Sequence, residues 1–159
     1  MILFLALLIS IVWADIADEL KDMLPEQMEG LHTDPVLVEH SGEEAGYILR
    51  ISRLYYDIHG NNVEYKWSNR SANPEYFREE AEQLPEADLP AFIPELLKQI
   101  PVSYSEDDGE LNYSFYLTNQ KVVFSITVTS EDEETRDKLI RRGFDKFESE
   151  KLLEWEGFN

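Results

Sequence analysis

The chain has 159 residues, 33 acidic against 14 basic side chains, a formal charge of −19 and no cysteine. The missing cysteine excludes a disulfide scaffold, thiol catalysis, an Fe–S cluster and a cysteine-based zinc module. The charge excludes a nucleic-acid backbone as partner, because neutralising phosphates needs Lys and Arg, and it argues against an anionic membrane surface. With 43% hydrophobic residues, 8 Tyr, 8 Phe and 3 Trp, the chain can bury a core of one-domain size.

Residues 2–12 form an apolar run interrupted only by Ser10. A helix of that length spans roughly 16 Å, about half the hydrocarbon thickness of a bilayer, so no integral membrane span is expected. The run has the length of a signal-peptide core, and Val12-Trp13-Ala14 offers a cleavage site before Asp15, although no Lys or Arg precedes it. This predicts a signal peptide over 1–14 and a single acidic α+β domain over 15–159, placed outside the cytoplasm (periplasmic or secreted). The alternative is a first helix packed in the core of a cytoplasmic protein.

Residues 15–24 read as an amphipathic helix with Ile16, Ala17, Leu20, Met23 and Leu24 on one face, closed by Pro25. Val36 and Val38 mark a short strand. Tyr47, Leu49 and Ile51 then alternate with polar neighbours, and the apolar phase flips to Leu54, Tyr56 and Ile58, which predicts a β-bulge near Ser52-Arg53. His59-Gly60-Asn61-Asn62 has turn chemistry, and Val63, Tyr65 and Trp67 complete a hairpin with one wet face. Asn73 caps a helix that opens at Pro74 and runs to Leu84. Phe92, Ile93, Leu96, Leu97 and Ile100 predict a second helix over 91–100.

A second hairpin follows, with Leu111, Tyr113, Phe115 and Leu117 in one apolar row and Val122, Phe124, Ile126 and Val128 in the next. Ser130-Glu131-Asp132-Glu133 reads as a capping box, opening a helix that buries Leu139 and Ile140 and ends at Gly143. The tail fits an edge strand or more helix. Hairpin-then-helix occurs twice, with Val63 over Val122 and Tyr65 over Phe124. These elements predict an α+β two-layer sandwich, an antiparallel sheet built from two β-hairpins with helices on one face.

Chemistry is sparse. Arg50, Arg53, Tyr55, Tyr56, Lys66 and Trp67 concentrate aromatic and basic groups and form a candidate binding face on the first sheet. Glu106, Asp107, Asp108 and Glu110 offer oxygens to a Ca2+ ion, although their spacing departs from an EF-hand loop. His40 beside Glu39, Glu43 and Glu44 could hold a divalent metal, and Asp57-Ile58-His59-Gly60 resembles the Asp-x-His element of metal-dependent phosphoesterases. A polar loop is the favoured reading of the first, and a hairpin turn accounts for the Gly and Asn of the second. The sequence carries no nucleophile elbow, no S-x-x-K and no phosphate-cradling loop, so no catalytic residue and no other cofactor is expected.

The reading that follows is a non-enzymatic, exported acidic binding or accessory protein for a partner with a basic surface or for cations. The element order resembles that of the small acidic chaperones of type III secretion, in layout alone and with no shared motif. That likeness implies the alternative of a cytosolic chaperone, beside a nucleic-acid mimic that inhibits a basic protein. A homodimer through a sheet edge is open to either.

Overall fold

Period-two alternation in the hairpin regions builds one antiparallel sheet of 7 strands in the computed structural model, which describes residues 18–40, 49–69, 74–85 and 88–156. The strands are β1 (His32–Thr33), β2 (Leu37–His40), β3 (Leu49–Tyr56), β4 (Asn62–Asn69), β5 (Val102–Asp107), β6 (Glu110–Leu117) and β7 (Val122–Thr129). In space they run β1-β3-β4-β7-β6-β5, and β2 also pairs with β3. Helical segments are α1 (residues 18–22), α2 (Pro74–Glu82), α3 (Glu133–Lys146) and α4 (Ser149–Glu156), with a 3-10 turn at Leu97–Gln99. The leader expected over 1–14, Tyr47, the acids Glu43 and Glu44 and the Asn73 cap lie outside the described residues.

The two expected hairpins, β3–β4 and β6–β7, join through the β4–β7 pairing, with Tyr65 opposite Ile126 and Trp67 opposite Phe124. One face of this sheet carries Ile51, Tyr55, Val63, Tyr65, Trp67, Phe115, Leu117, Phe124, Ile126 and Val128, all buried. Against it pack Leu20, Met23 and Met28, then Ile93, Leu97 and Ile100, then Leu139, Ile140 and Phe144 of α3, and finally Phe147 and Leu152. Aromatic rings fill the centre: Phe124 lies 4.2 Å from both Trp67 and Phe147, centroid to centroid. Each such ring removed from water contributes roughly 1.5–3 kcal/mol.

Helices do not all share that face. Phe77 and Ala81 of α2 pack on Tyr116 and Val123, which alternation turns to the opposite side of the sheet, and Phe77 stacks on Tyr116 at 5.6 Å. The helix after β4 and the helix after β7 therefore cover opposite faces, so the repeated hairpin-then-helix order is not a structural repeat.

Other elements depart from expectation for identifiable reasons. There is no bulge at Ser52-Arg53: β3 pairs with β4 without a break from Arg50–Ser68 to Tyr56–Asn62. The side chain that disturbs the apolar phase is Arg53, which lies on the core face. Its Nη1 donates to the Pro25 carbonyl at 2.9 Å and its Nε to the Asp34 carbonyl at 3.2 Å. Leu54 and Tyr56 face the other way, and Ile58, 84% exposed, stands in the turn.

The expected helix over 91–100 is a string of turns ending in the 3-10 segment. Pro90 and Pro94 provide acceptor carbonyls for Ile93 and Leu97 but no donors of their own. Ile93, Leu97 and Ile100 are nonetheless buried, whereas Leu96 is exposed.

At α3 the cap is Asp132, whose carboxylate accepts from the Thr135 N–H at 2.7 Å. Ser130 instead bridges to Asn61, donating to its Oδ1 at 2.7 Å. Gly143 does not end α3, which continues to Lys146. A Cβ there would meet Ile126 Cγ2 at 3.4 Å and the Tyr65 hydroxyl at 3.6 Å, so helix and sheet lie in contact at this glycine. The tail resolves as helix α4. Among the described residues no helix is long and apolar enough to cross a membrane.

Candidate functional site

The six residues of the candidate binding face fall on two sides of the sheet. Arg53, Tyr55 and Trp67 face the core. Tyr55 is fully buried and donates its hydroxyl to the Pro25 carbonyl, the acceptor that Arg53 also uses. Burial pushes the Tyr55 hydroxyl up to about 12, against the opposing effect of Arg53. Trp67, 1% exposed, sits edge-on to Trp155.

Arg50, Tyr56 and Lys66 occupy the other face. There Arg50 pairs with Glu39 at 3.7 Å, and Tyr56 lies 5.7 Å from the His32 ring. Their neighbours are short polar residues that satisfy one another. Thr127 donates to Asn112, Asn112 donates to Ser114 at 3.1 Å, and the Ser114 and Ser125 hydroxyls share a bond of 2.8 Å.

The acidic candidates for Ca2+ form a hairpin tip. Asp107 and Glu110 end β5 and open β6, and Asp108 and Gly109 between them have φ of 39° and 82°. Two successive positive φ values are those of a type I′ turn, for which Asp-Gly is a preferred pair. A Cβ at Gly109 would come within 3.1 Å of the Ser130 carbonyl oxygen, so glycine is needed for space as well as for φ. Glu106 is occupied: it pairs with the Arg136 guanidinium and accepts from the Tyr104 hydroxyl at 2.7 Å. That bond to Glu106 holds the Tyr104 hydroxyl above its usual range. Among the described residues no three His, Asp or Glu side chains gather to hold a metal.

The Asp57-Ile58-His59-Gly60 element is a loop clasp. The Asp57 carboxylate accepts from the His59 N–H at 2.8 Å, the Asn61 N–H at 3.1 Å and the Asn61 amide at 2.8 Å. These bonds, that from the Asn61 side chain foremost, hold its pKa below the usual carboxylate value. His40 ends β2 opposite Leu49.

Sequence reasoning missed a concave part of the surface. A cleft of about 490 Å3 opens between β5 and the chain around residue 88, lined by Pro85, Leu89, Pro90, Val102, Tyr104 and Tyr113, with Asp88 and Ser103 at its margin. A second hollow of about 480 Å3 shares Pro85, Leu89 and Val102 and continues toward Ile100 and Pro101. Tyr104, 47% exposed, is among the largest apolar surfaces the protein shows to solvent. Burial pushes the Tyr113 hydroxyl up to about 12, so it stays neutral, while the Tyr104 hydroxyl already donates to Glu106. The acids Asp88, Asp107, Asp108 and Glu110 near this end are exposed. The signal that could have found the cleft is Val102-Ser103-Tyr104-Ser105, a period-two run that precedes the acidic tip. No family model matches the chain, and no curated protein or solved structure matches it either.

Proposed function

We propose that this protein is an acidic, non-enzymatic binding protein, exported from the cytoplasm, whose partner presents basic groups. The observation that carries this reading is the pairing of a −19 charge with an apolar cleft whose margin is acidic at Asp88 and at the nearby β5–β6 tip. An apolar hollow supplies contact area, and surrounding carboxylates steer and select a cationic partner. Several polar groups have structural roles. Asp57 clasps its loop, Glu106 holds Arg136, and Tyr55 and Tyr65 anchor backbone carbonyls.

The test is titration with a labelled arginine-rich peptide and with its glutamate-rich counterpart. The basic peptide should bind, and its affinity should fall at least about tenfold between low salt and about 0.5 M salt, because exposed charge pairs are screened. Equal binding of both peptides, or of neither, refutes the reading. Export is tested separately: N-terminal sequencing of the native protein should begin at Asp15, and an intact Met1 in the cytosolic fraction would overturn it.

A further inference from the structure

We propose that β5 is a docking edge, to which a basic partner adds an extended segment as a further strand of the sheet. This deepens the binding reading above and rests on it. The first observation is the register. The Tyr116 N–H donates to the Pro101 carbonyl at 2.8 Å, and β5 pairs with β6 so that Ser103 meets Ser114 and Ser105 meets Asn112. In an antiparallel pair the bonded positions alternate. Ser103, Ser105 and Asp107 therefore bond inward to β6, and the N–H and C=O of Val102, Tyr104 and Glu106 point outward. Among the described residues no strand pairs with that side of β5.

The second observation is the cleft. The residues whose backbone points outward also supply its wall, since Val102 and Tyr104 line it. An added strand would send alternate side chains into this apolar hollow. The intervening ones would lie beside Ser103, Ser105 and Asp107 on the polar face. Main-chain bonds then give affinity, and the hollow reads every second residue.

The third observation is charge. Exposed edges are ordinarily guarded by charged residues or proline, and in β5 these stand only at the ends, Pro101 before it and Glu106-Asp107 at its close. Glu106 is neutralised by Arg136 and Lys98 lines the second hollow, but the exposed acids Asp88, Asp107, Asp108 and Glu110 outnumber these cations and leave this end net negative. A second copy of this chain would bring carboxylates against carboxylates, whereas a segment alternating apolar and basic residues complements both the hollow and its margin.

The experiment titrates the full chain with a peptide alternating valine and arginine, and with the same peptide methylated on alternate backbone nitrogens. Methylation keeps charge and side chains but removes the donors on one edge. On the protein side, Tyr104→Pro removes one outward N–H without touching the bonds to β6, and Tyr104→Thr removes the ring but keeps the N–H. Strand addition predicts a loss of about tenfold or more on methylation, for two or three lost bonds, and a loss on Tyr104→Pro that exceeds that on Tyr104→Thr by about fivefold, for the one missing N–H. Amide exchange should slow at Val102, Tyr104 and Glu106 on binding. If both peptides bind alike and salt alone governs affinity, the docking edge is wrong while the acidic binding reading stands. If neither binds at low salt, both fail. A dimer through β5, seen as a doubled mass that excludes the peptide, would replace the basic occupant with a second copy. The methylated peptide keeps the test valid even if Tyr104→Pro fails to fold.

Discussion

Arg53 and Tyr55 converge on one carbonyl, that of Pro25, and so fasten the segment after α1 to the middle of β3. Replacing Tyr55 with Phe should cost about 1 kcal/mol, because Arg53 still satisfies the Pro25 carbonyl, and replacing Arg53 with Met should cost more, because the Asp34 carbonyl also loses its donor. The double variant should cost more than the sum, since it leaves the carbonyl with neither; chemical denaturation of the four proteins measures this. Alkali acts on the same kind of group. Burial raises Tyr55 and Tyr113 from 10.0 to about 12 and raises Tyr65 further. The folded state therefore holds these protons after the unfolded chain has lost them. Stability should be at full strength below pH 10.0 and fall as pH climbs toward 12, with these phenolates appearing at 295 nm only as the protein unfolds. Asp57 and Asp132 act at the other end. Hydrogen bonds hold both below 3.8, so their contribution is present above that value and disappears as acid protonates them.

At the scale of elements, α3 is set against the sheet by Gly143 and by the Tyr65 hydroxyl, which donates to the Gly143 carbonyl at 2.6 Å. Gly143→Ala should be tolerated, with helix propensity offsetting contact with Ile126, whereas Gly143→Val should cost about 2 kcal/mol or more by prising the helix away. Thermal melts of the two variants distinguish them. The elements legible in the sequence are those whose burial follows one period. The β6 and β7 rows alternate cleanly because apolar residues face the core and Asn112, Ser114, Ser125 and Thr127 face away. β3 misleads because Arg53 faces the core, and only the fold reveals the carbonyls that accept it. The 91–100 segment has helical spacing of buried residues, but Pro90 and Pro94 withhold the donors a helix needs. β5 is hard to recognise because its polar face is serine and its end is acidic, so it looks like loop. Of the cleft, only the β5 wall leaves a trace in the sequence, the alternation of Val102-Ser103-Tyr104-Ser105; its meeting with residues 85–90 and 113 is encoded by no local pattern.

For the molecule as a whole, self-repulsion at −19 is the main electrostatic force opposing the folded state. The ion pairs that could offset it are mostly exposed, such as Lys138 with Glu134 and Lys98 with Glu95, and pairs of this kind contribute little. Melting temperature should therefore rise between low and about 1 M salt, where the screening length shrinks to about 3 Å; a flat or falling response would show that repulsion is not what limits stability. The same screening should weaken capture of a cationic peptide, so salt would move stability and affinity in opposite directions. The far side of the sheet sets another limit. There β3 is covered by β1 and β2, two short pieces separated at Asp34-Pro35, with the Asp34 N–H given to Leu54 and its carbonyl to Arg53. A proline and a broken ladder make that border a poor template, whereas β5 is a good one. Growth of this sheet is thus one-sided among the described residues: a strand taken up at β5 has no equivalent place at the opposite border.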